Sequence, residues 1–244
     1  MDEWYKDWFN TREYLNVYRH RNEEDAKKLV DLILKNVFLP GNAKVLDLAC
    51  GPGRHSILFA EQGYRVTAVD LSENLLAIAK KIAVGSGFKI NFFKCDLRNF
   101  SVSAKFDLVV NLFTSFGYFE DDLENFKLFE VSFDLLENGG YFVLDYLNKY
   151  YIEKNLIPES VDEQEGGIIV QKRCIKGNRV IKNISLFSNG QEKRYHESVR
   201  MYGKDELIKN IENRGFEIKS IFGDFEGHCF DPEKSSRIII IARK

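Results

Sequence analysis

An α/β fold on a mostly parallel sheet is predicted by three observations on this 244-residue chain. Short apolar runs that read as strands alternate with amphipathic runs that read as helices through residue 148. Those strand-like runs are apolar along their length, as in sheets covered on both faces. The first, Val45-Leu46-Asp47-Leu48, enters the turn Ala49-Cys50-Gly51-Pro52-Gly53, and the second, Val66-Thr67-Ala68-Val69, ends in Asp70.

The elements follow in order. Asn22 can cap a helix whose first turn carries Glu23, Glu24 and Asp25, as the helix dipole prefers. Leu29, Ile33 and Val37 give it one apolar face, and Pro40-Gly41 ends it. A strand is predicted over residues 44–48, a helix over 53–62 stopped by Gly63, and a strand over 65–69. Ser72 caps a helix with Leu75, Ala79 and Ile82 on one side. A strand over 89–94 runs into Cys95-Asp96-Leu97, and another over 106–110 into Asn111-Leu112-Phe113-Thr114-Ser115-Phe116-Gly117-Tyr118. A helix over 121–137 buries Phe126, Phe129, Phe133 and Leu136, with Asn138-Gly139-Gly140 as its stop. Strand five is predicted over 141–145.

The pattern changes near residue 150. Residues 168–174, 179–187 and 191–201 read as an antiparallel meander, because Lys176-Gly177-Asn178 and Ser188-Asn189-Gly190 carry turn chemistry. A helix over 204–214 and strands over 216–222 and 237–242 restore the α/β character. The expected organisation is one domain, residues 1–148 and 203–244, with residues 149–202 inserted after strand five.

Composition narrows the function. With 44% hydrophobic residues the chain can bury a substantial core. Its 35 basic and 37 acidic residues argue against a nucleic-acid partner, which would want a basic excess. No apolar run is long enough to span a membrane. The start, Met1-Asp2-Glu3-Trp4, is unlike a secretory signal. Cys50, Cys95, Cys174 and Cys229 lack metal-ligand spacing, so no metal site is expected and a reducing cytoplasm is the simplest setting.

A strand, a glycine turn and an acidic strand end serve two cofactor classes, the dinucleotides and S-adenosylmethionine. The dinucleotide pattern wants a third glycine where Ser56 stands. Asp47 would repel a pyrophosphate but suits an ammonium or sulfonium. Asp96 ends strand three, where a carboxylate can accept from an adenine amino group.

Asp47 to Gly53, Asp70, Asp96 and Asn111 together resemble the successive motifs of class I S-adenosylmethionine-dependent methyltransferases. The resemblance covers residues 22–148, and 203–244 as closing elements. It implies a Rossmann-like seven-stranded sheet ending in a reversed hairpin, and a nucleophile, methyl carbon and sulfur aligned for in-line displacement. By that resemblance Ala49, Cys50, Gly51 and Gly53 pass the methionine part of S-adenosyl-L-methionine. Asp70 takes the ribose hydroxyls and Leu71 neighbours adenine. Asp96 and Leu97 take the adenine edge, and Asn111 and Leu112 lie under the sulfonium. The segment 113–118 and the inserted meander are similar to small-molecule members, nearest the sugar-nucleotide N-methyltransferases. The expected acceptor is therefore a small molecule methylated at nitrogen or oxygen.

The remaining expectations concern the acceptor side. Tyr18 and Arg21 are expected to close the site over the cofactor, with Arg21 able to pair with its carboxylate. His196, Ser198, Arg200 and Tyr202 alternate along the last meander strand and share a face. On that face His196 could act as a base, and Arg200 and Tyr202 could contact substrate. Tyr118 and Tyr146 leave strand ends four and five, where an acceptor approaches. The meander edges could pair with a second copy to give a homodimer. Three alternatives stand beside this reading: an NAD(P)-dependent oxidoreductase, a non-catalytic S-adenosylmethionine-binding protein, and a methyltransferase for RNA or protein, against which the near-neutral charge argues.

Overall fold

A computed structural model describes residues 3–19, 23–164 and 167–244. Arg21 and the capping residue Asn22 lie outside them. The chain begins with two short helices that the sequence reading did not foresee, α1 (Trp4–Trp8) and α2 (Arg12–Val17). The α/β alternation then runs α3 (Glu23–Asn36), β1 (Lys44–Leu48), α4 (Arg54–Glu61), β2 (Arg65–Asp70), α5 (Glu73–Gly85), β3 (Asn91–Lys94), β4 (Phe106–Asn111), α6 (Asp122–Leu135) and β5 (Leu136–Leu147). After α7 (Lys149–Asn155) come β6 (Glu159–Gln164), β7 (Gly167–Lys176), β8 (Arg179–Ser188) and β9 (Gln191–Arg200). The chain closes with α8 (Lys204–Asn213), β10 (Glu217–Phe222) and β11 (Arg237–Arg243).

The main sheet has seven strands in the order β10-β11-β5-β4-β1-β2-β3. β1 pairs in parallel with β2 and β4, and β4 with β5. β11 is antiparallel to both β5 and β10, the expected reversed hairpin. Alternate residues of each central strand enter opposite cores. Leu46, Val109 and Leu144 pack in one with Phe129 of α6. Val45, Val110 and Val143 pack in the other with Leu29 of α3 and Phe59 of α4. Cover on both faces is why these strands read as unbroken apolar runs.

Two departures have local causes. The meander sheet has four strands, β6-β7-β8-β9, where three were expected. β6 (Glu-Ser-Val-Asp-Glu-Gln) alternates exposed and half-buried positions, so it carries no apolar signal. The glycines at 139 and 140 do not follow a simple helix stop. They lie in an irregular stretch of β5, where the pairing jumps from Phe106↔Leu136 to Leu108↔Tyr141.

A third core joins the start of the chain to α5 and the meander. Trp4, Tyr5, Trp8, Tyr14 and Val17 pack with Leu75 of α5 and with Ile169 and Ile184 of the meander. Among the described residues no helix is long and apolar enough to cross a membrane.

Candidate active site

The carboxyl ends of β1 to β5 gather on one edge of the sheet. β1 breaks at Ala49, which takes a left-handed φ of 60°. At Gly53, φ is 82°, and a Cβ would stand 2.9 Å from the Cβ of Ala79. This glycine therefore lets α4 begin against α5. Asp70 at the end of β2 accepts from the Gly51 amide (2.7 Å) and the Ser72 amide (2.8 Å), so its carboxylate ties both turns together. Burial pushes its pKa up, and the backbone donors oppose that.

Asp47 is 1% exposed. Its polar partner is the Ser56 hydroxyl, which donates to Oδ2 at 2.5 Å. Burial raises its pKa to about 7; the Ser56 bond opposes the rise and the Asp70 charge adds to it. Asp47 makes no ion pair among the described residues. A buried carboxylate without a counter-charge is stabilised by a cation placed beside it.

β4 ends in Asn111, whose amide donates to the Leu48 carbonyl (2.9 Å) and the Ser115 carbonyl (3.2 Å). Phe113 and Thr114 follow with successive left-handed φ values of 56° and 63°. Each costs about 1–3 kcal/mol and needs surrounding structure to hold it. Asp145 of β5 supplies that support. Its Oδ2 accepts from the Phe113 amide (2.9 Å) and its carbonyl from the Thr114 amide (3.0 Å). Arg237 of β11 pairs with the same carboxylate and donates to the Thr114 hydroxyl at 2.9 Å.

Above this edge lies a cavity of about 460 Å³. Its floor includes Asp47, Ala49, Gly51, Asp70, Leu71 and Leu112. Trp4, Tyr5, Phe9, Tyr14 and Tyr18 from the N-terminal helices and their flank roof one end. Leu147, Ile152, Arg173, Val180, Lys182 and Val199 wall the other. Glu197 locks the roof to the meander. Its carboxylate accepts from Trp8 Nε1 (2.7 Å) and the Tyr18 hydroxyl (2.6 Å) and pairs with Lys182 (3.0 Å). Burial alone would raise the Glu197 pKa, but the Lys182 charge and these hydrogen bonds hold it below the usual value.

Residues 45–140 match the family profile described as Methyltransferase domain. YqeM of Bacillus subtilis (strain 168), provisionally named a methyltransferase, is 30% identical over 195 residues, covering 77% of this chain and 78% of YqeM. The chain belongs to the S-adenosylmethionine-dependent methyltransferases. A solved S-adenosylmethionine-dependent methyltransferase from Clostridium acetobutylicum ATCC 824 superposes with a TM-score of 0.82 at 22% identity, covering 94% of this chain and 95% of that one. CalS10 from Micromonospora echinaspora, an amino pentose methyltransferase solved with S-adenosylmethionine, gives a TM-score of 0.70 at 21% identity, covering 96% and 97%.

These findings remove the dinucleotide alternative, and the methyltransferase's own residues fit its cofactor. Asp47 offers an unpaired buried carboxylate to a ligand carrying a sulfonium and an ammonium. Asp70, the residue expected at the ribose, is held by two backbone donors. Cys50, Leu71, Asp96, Leu97 and Tyr18 also line the cavity, together with Ala49, Gly51 and Leu112. Asp96 is committed in part, since both its oxygens accept from the Arg98 guanidinium. Two of the expected cofactor residues lie behind the wall: Gly53 at the α4–α5 contact and Asn111 fully buried under the floor.

The acceptor-side expectations need correction. β9 turns its other face inward, so Glu197 and Val199 line the methyltransferase cavity while His196, Arg200 and Tyr202 do not. His196 lies half-buried near the Trp4 ring, with centroids 6.3 Å apart. Arg200 pairs with Asp122 (3.1 Å) and Glu206 (3.3 Å), and the Tyr202 hydroxyl donates to Asp122 at 2.6 Å. Tyr146 is fully buried, its hydroxyl donated to the Arg200 carbonyl, and burial pushes its pKa far up. Of the three tyrosines and histidine at issue, only Tyr118 lines the cavity; its hydroxyl donates to the Thr114 carbonyl at 2.9 Å.

The sequence reading missed Trp4, Tyr5, Trp8 and Phe9, and also Lys182, Glu197, Asp145 and Arg237. The density of aromatic residues in Trp4-Tyr5-Lys6-Asp7-Trp8-Phe9 was the available signal for the first group. Nothing local marks the others.

Proposed function

We propose that this methyltransferase alkylates a nitrogen or oxygen of a small organic acceptor, which shares the roofed cavity with the cofactor. The observation carrying this reading is the roof. Two N-terminal helices latched through Glu197 to the meander cover the carboxyl edge of the sheet and leave a space suited to small molecules. The amino pentose activity in the name of CalS10 agrees with such an acceptor.

S-Adenosylmethionine, when bound, supplies a methyl group on a positively charged sulfur that leaves as a neutral thioether. The chain's work is alignment, which can lower a barrier by up to about 7–11 kcal/mol. Asp70 holds the ribose end and Asp47 complements the positive end. The loop from Phe113 to Tyr118, pinned by Asp145 and Arg237, fixes the wall beside the reacting atoms. Tyr118 is our remaining candidate for orienting the acceptor. The meander then acts as a substrate cover on the α/β domain. β6, a terminal strand of its sheet, is the edge through which two copies could pair.

The test incubates the purified chain with methyl-labelled S-adenosylmethionine and three acceptor pools: small amines and amino sugars, small phenols, and RNA with unfolded protein. Label in a small-molecule product with release of S-adenosylhomocysteine is expected. Label only in RNA or protein would overturn the reading, and no transfer to any pool would favour the non-catalytic alternative.

A further inference from the structure

The meander sets three charged side chains opposite one another across its strands. Arg173 on β7 is in register with Lys182 on β8, and Lys182 with Glu197 on β9. All three line the cavity. The neighbouring row on the same face is apolar, Ile175, Val180 and Val199 in register. Val180 and Val199 line the cavity too, with Leu147, Ile152 and Leu156.

Charge in the row does not cancel. Glu197 answers Lys182 at 3.0 Å. Arg173 has neutral partners: Nη1 donates to the Ser160 hydroxyl (3.0 Å) and the Ile157 carbonyl (3.5 Å), and Nη2 to Gln171 Oε1 (2.8 Å). It makes no ion pair among the described residues. These contacts orient the guanidinium without neutralising it and leave donors unused, since the group has five N–H bonds. A fixed, half-buried cation beside an apolar wall suits the planar two-point recognition of an oxyanion.

The geometry points to an acceptor that carries an anionic oxygen group, carboxylate or phosphate, received by Arg173, with its apolar body against Val180, Val199 and Leu147. This rests on the small-acceptor reading above and names the class of molecule.

The test titrates hydrocinnamate, phenethyl phosphate and the neutral hydrocinnamide into the full chain saturated with S-adenosylhomocysteine. At least one anion is expected to bind about tenfold or more tightly than the amide, the scale of a charge-assisted pair. Hydrocinnamate leading assigns a carboxylate, and phenethyl phosphate leading assigns a phosphate. Arg173→Gln should abolish the margin with unchanged affinity for S-adenosylhomocysteine, and Arg173→Lys should keep part of it. Equal binding of anions and amide, no binding of any probe to the loaded chain, or a margin that survives Arg173→Gln would overturn the proposal. Failure of the wild-type chain to take up S-adenosylhomocysteine would instead overturn the cofactor reading beneath it.

Discussion

Trp8 and Glu197 are 189 positions apart and share a buried hydrogen bond, the indole Nε1 donating to Oε1 at 2.7 Å. Through this bond the start of the chain closes over a site built by its middle. Removing the carboxylate takes from Lys182 its charge partner at 3.0 Å, and from Trp8 and Tyr18 the acceptor they share. Glu197→Ala should cost about 3–5 kcal/mol in urea unfolding, the range for breaking a buried pair on one side. Glu197→Gln, which still accepts from the indole, should cost less. The altered tryptophan fluorescence of the folded variant would report the loosened roof.

Asp70→Ala should weaken S-adenosylhomocysteine binding by roughly 1.5–3 kcal/mol in calorimetry, the scale of hydrogen bonds to a charged group. Unchanged affinity would dissociate Asp70 from the ribose.

The pH dependence follows from Asp47, whose pKa is raised by burial to about 7. A proton on Asp47 removes the charge that complements the cofactor, so affinity for S-adenosylmethionine should fall as pH drops through about 7. Stability of the ligand-free chain runs the other way. Between the unfolded carboxylate value near 4 and the folded value near 7, the native state holds a proton that the unfolded chain has lost. Native stability should therefore decline as pH rises through that window, by at most about 1.4 kcal/mol per pH unit from this group. Asp47→Asn should flatten that slope in denaturant titrations at several pH values.

Much of this architecture could be read from the chain before its structure. β1, β2 and β4 were legible because each is an apolar run ending at a glycine turn or a polar residue, and the sheet buries both of their faces. The sheet's edge of the cavity was legible for the same reason: Asp70 and Asp96, which line it, follow strand ends, where alternation stops mattering. The acceptor side was not. Alternation along β9 separates His196 and Arg200 from Glu197 and Val199, yet it does not say which set faces inward. That choice is made by α1, whose Trp8 finds Glu197 only in three dimensions. Helices as short as Trp4–Trp8 offer too few residues for a period to emerge.

Gly117→Ala probes the loop that walls the site. At this residue φ is 88°, and a Cβ would stand 2.8 Å from the Tyr146 hydroxyl and 2.9 Å from the Arg200 carbonyl. Both neighbours are fixed by their own hydrogen bond. A loss of about 1–3 kcal/mol in thermal or urea unfolding is expected, from overpacking and a disfavoured backbone conformation.

The most direct test of the central claim is calorimetric titration of S-adenosylhomocysteine into the intact wild-type chain. Saturable binding at one site per chain, weakened by Asp70→Ala, is the predicted result. A folded wild-type chain that takes up none of it would contradict the account.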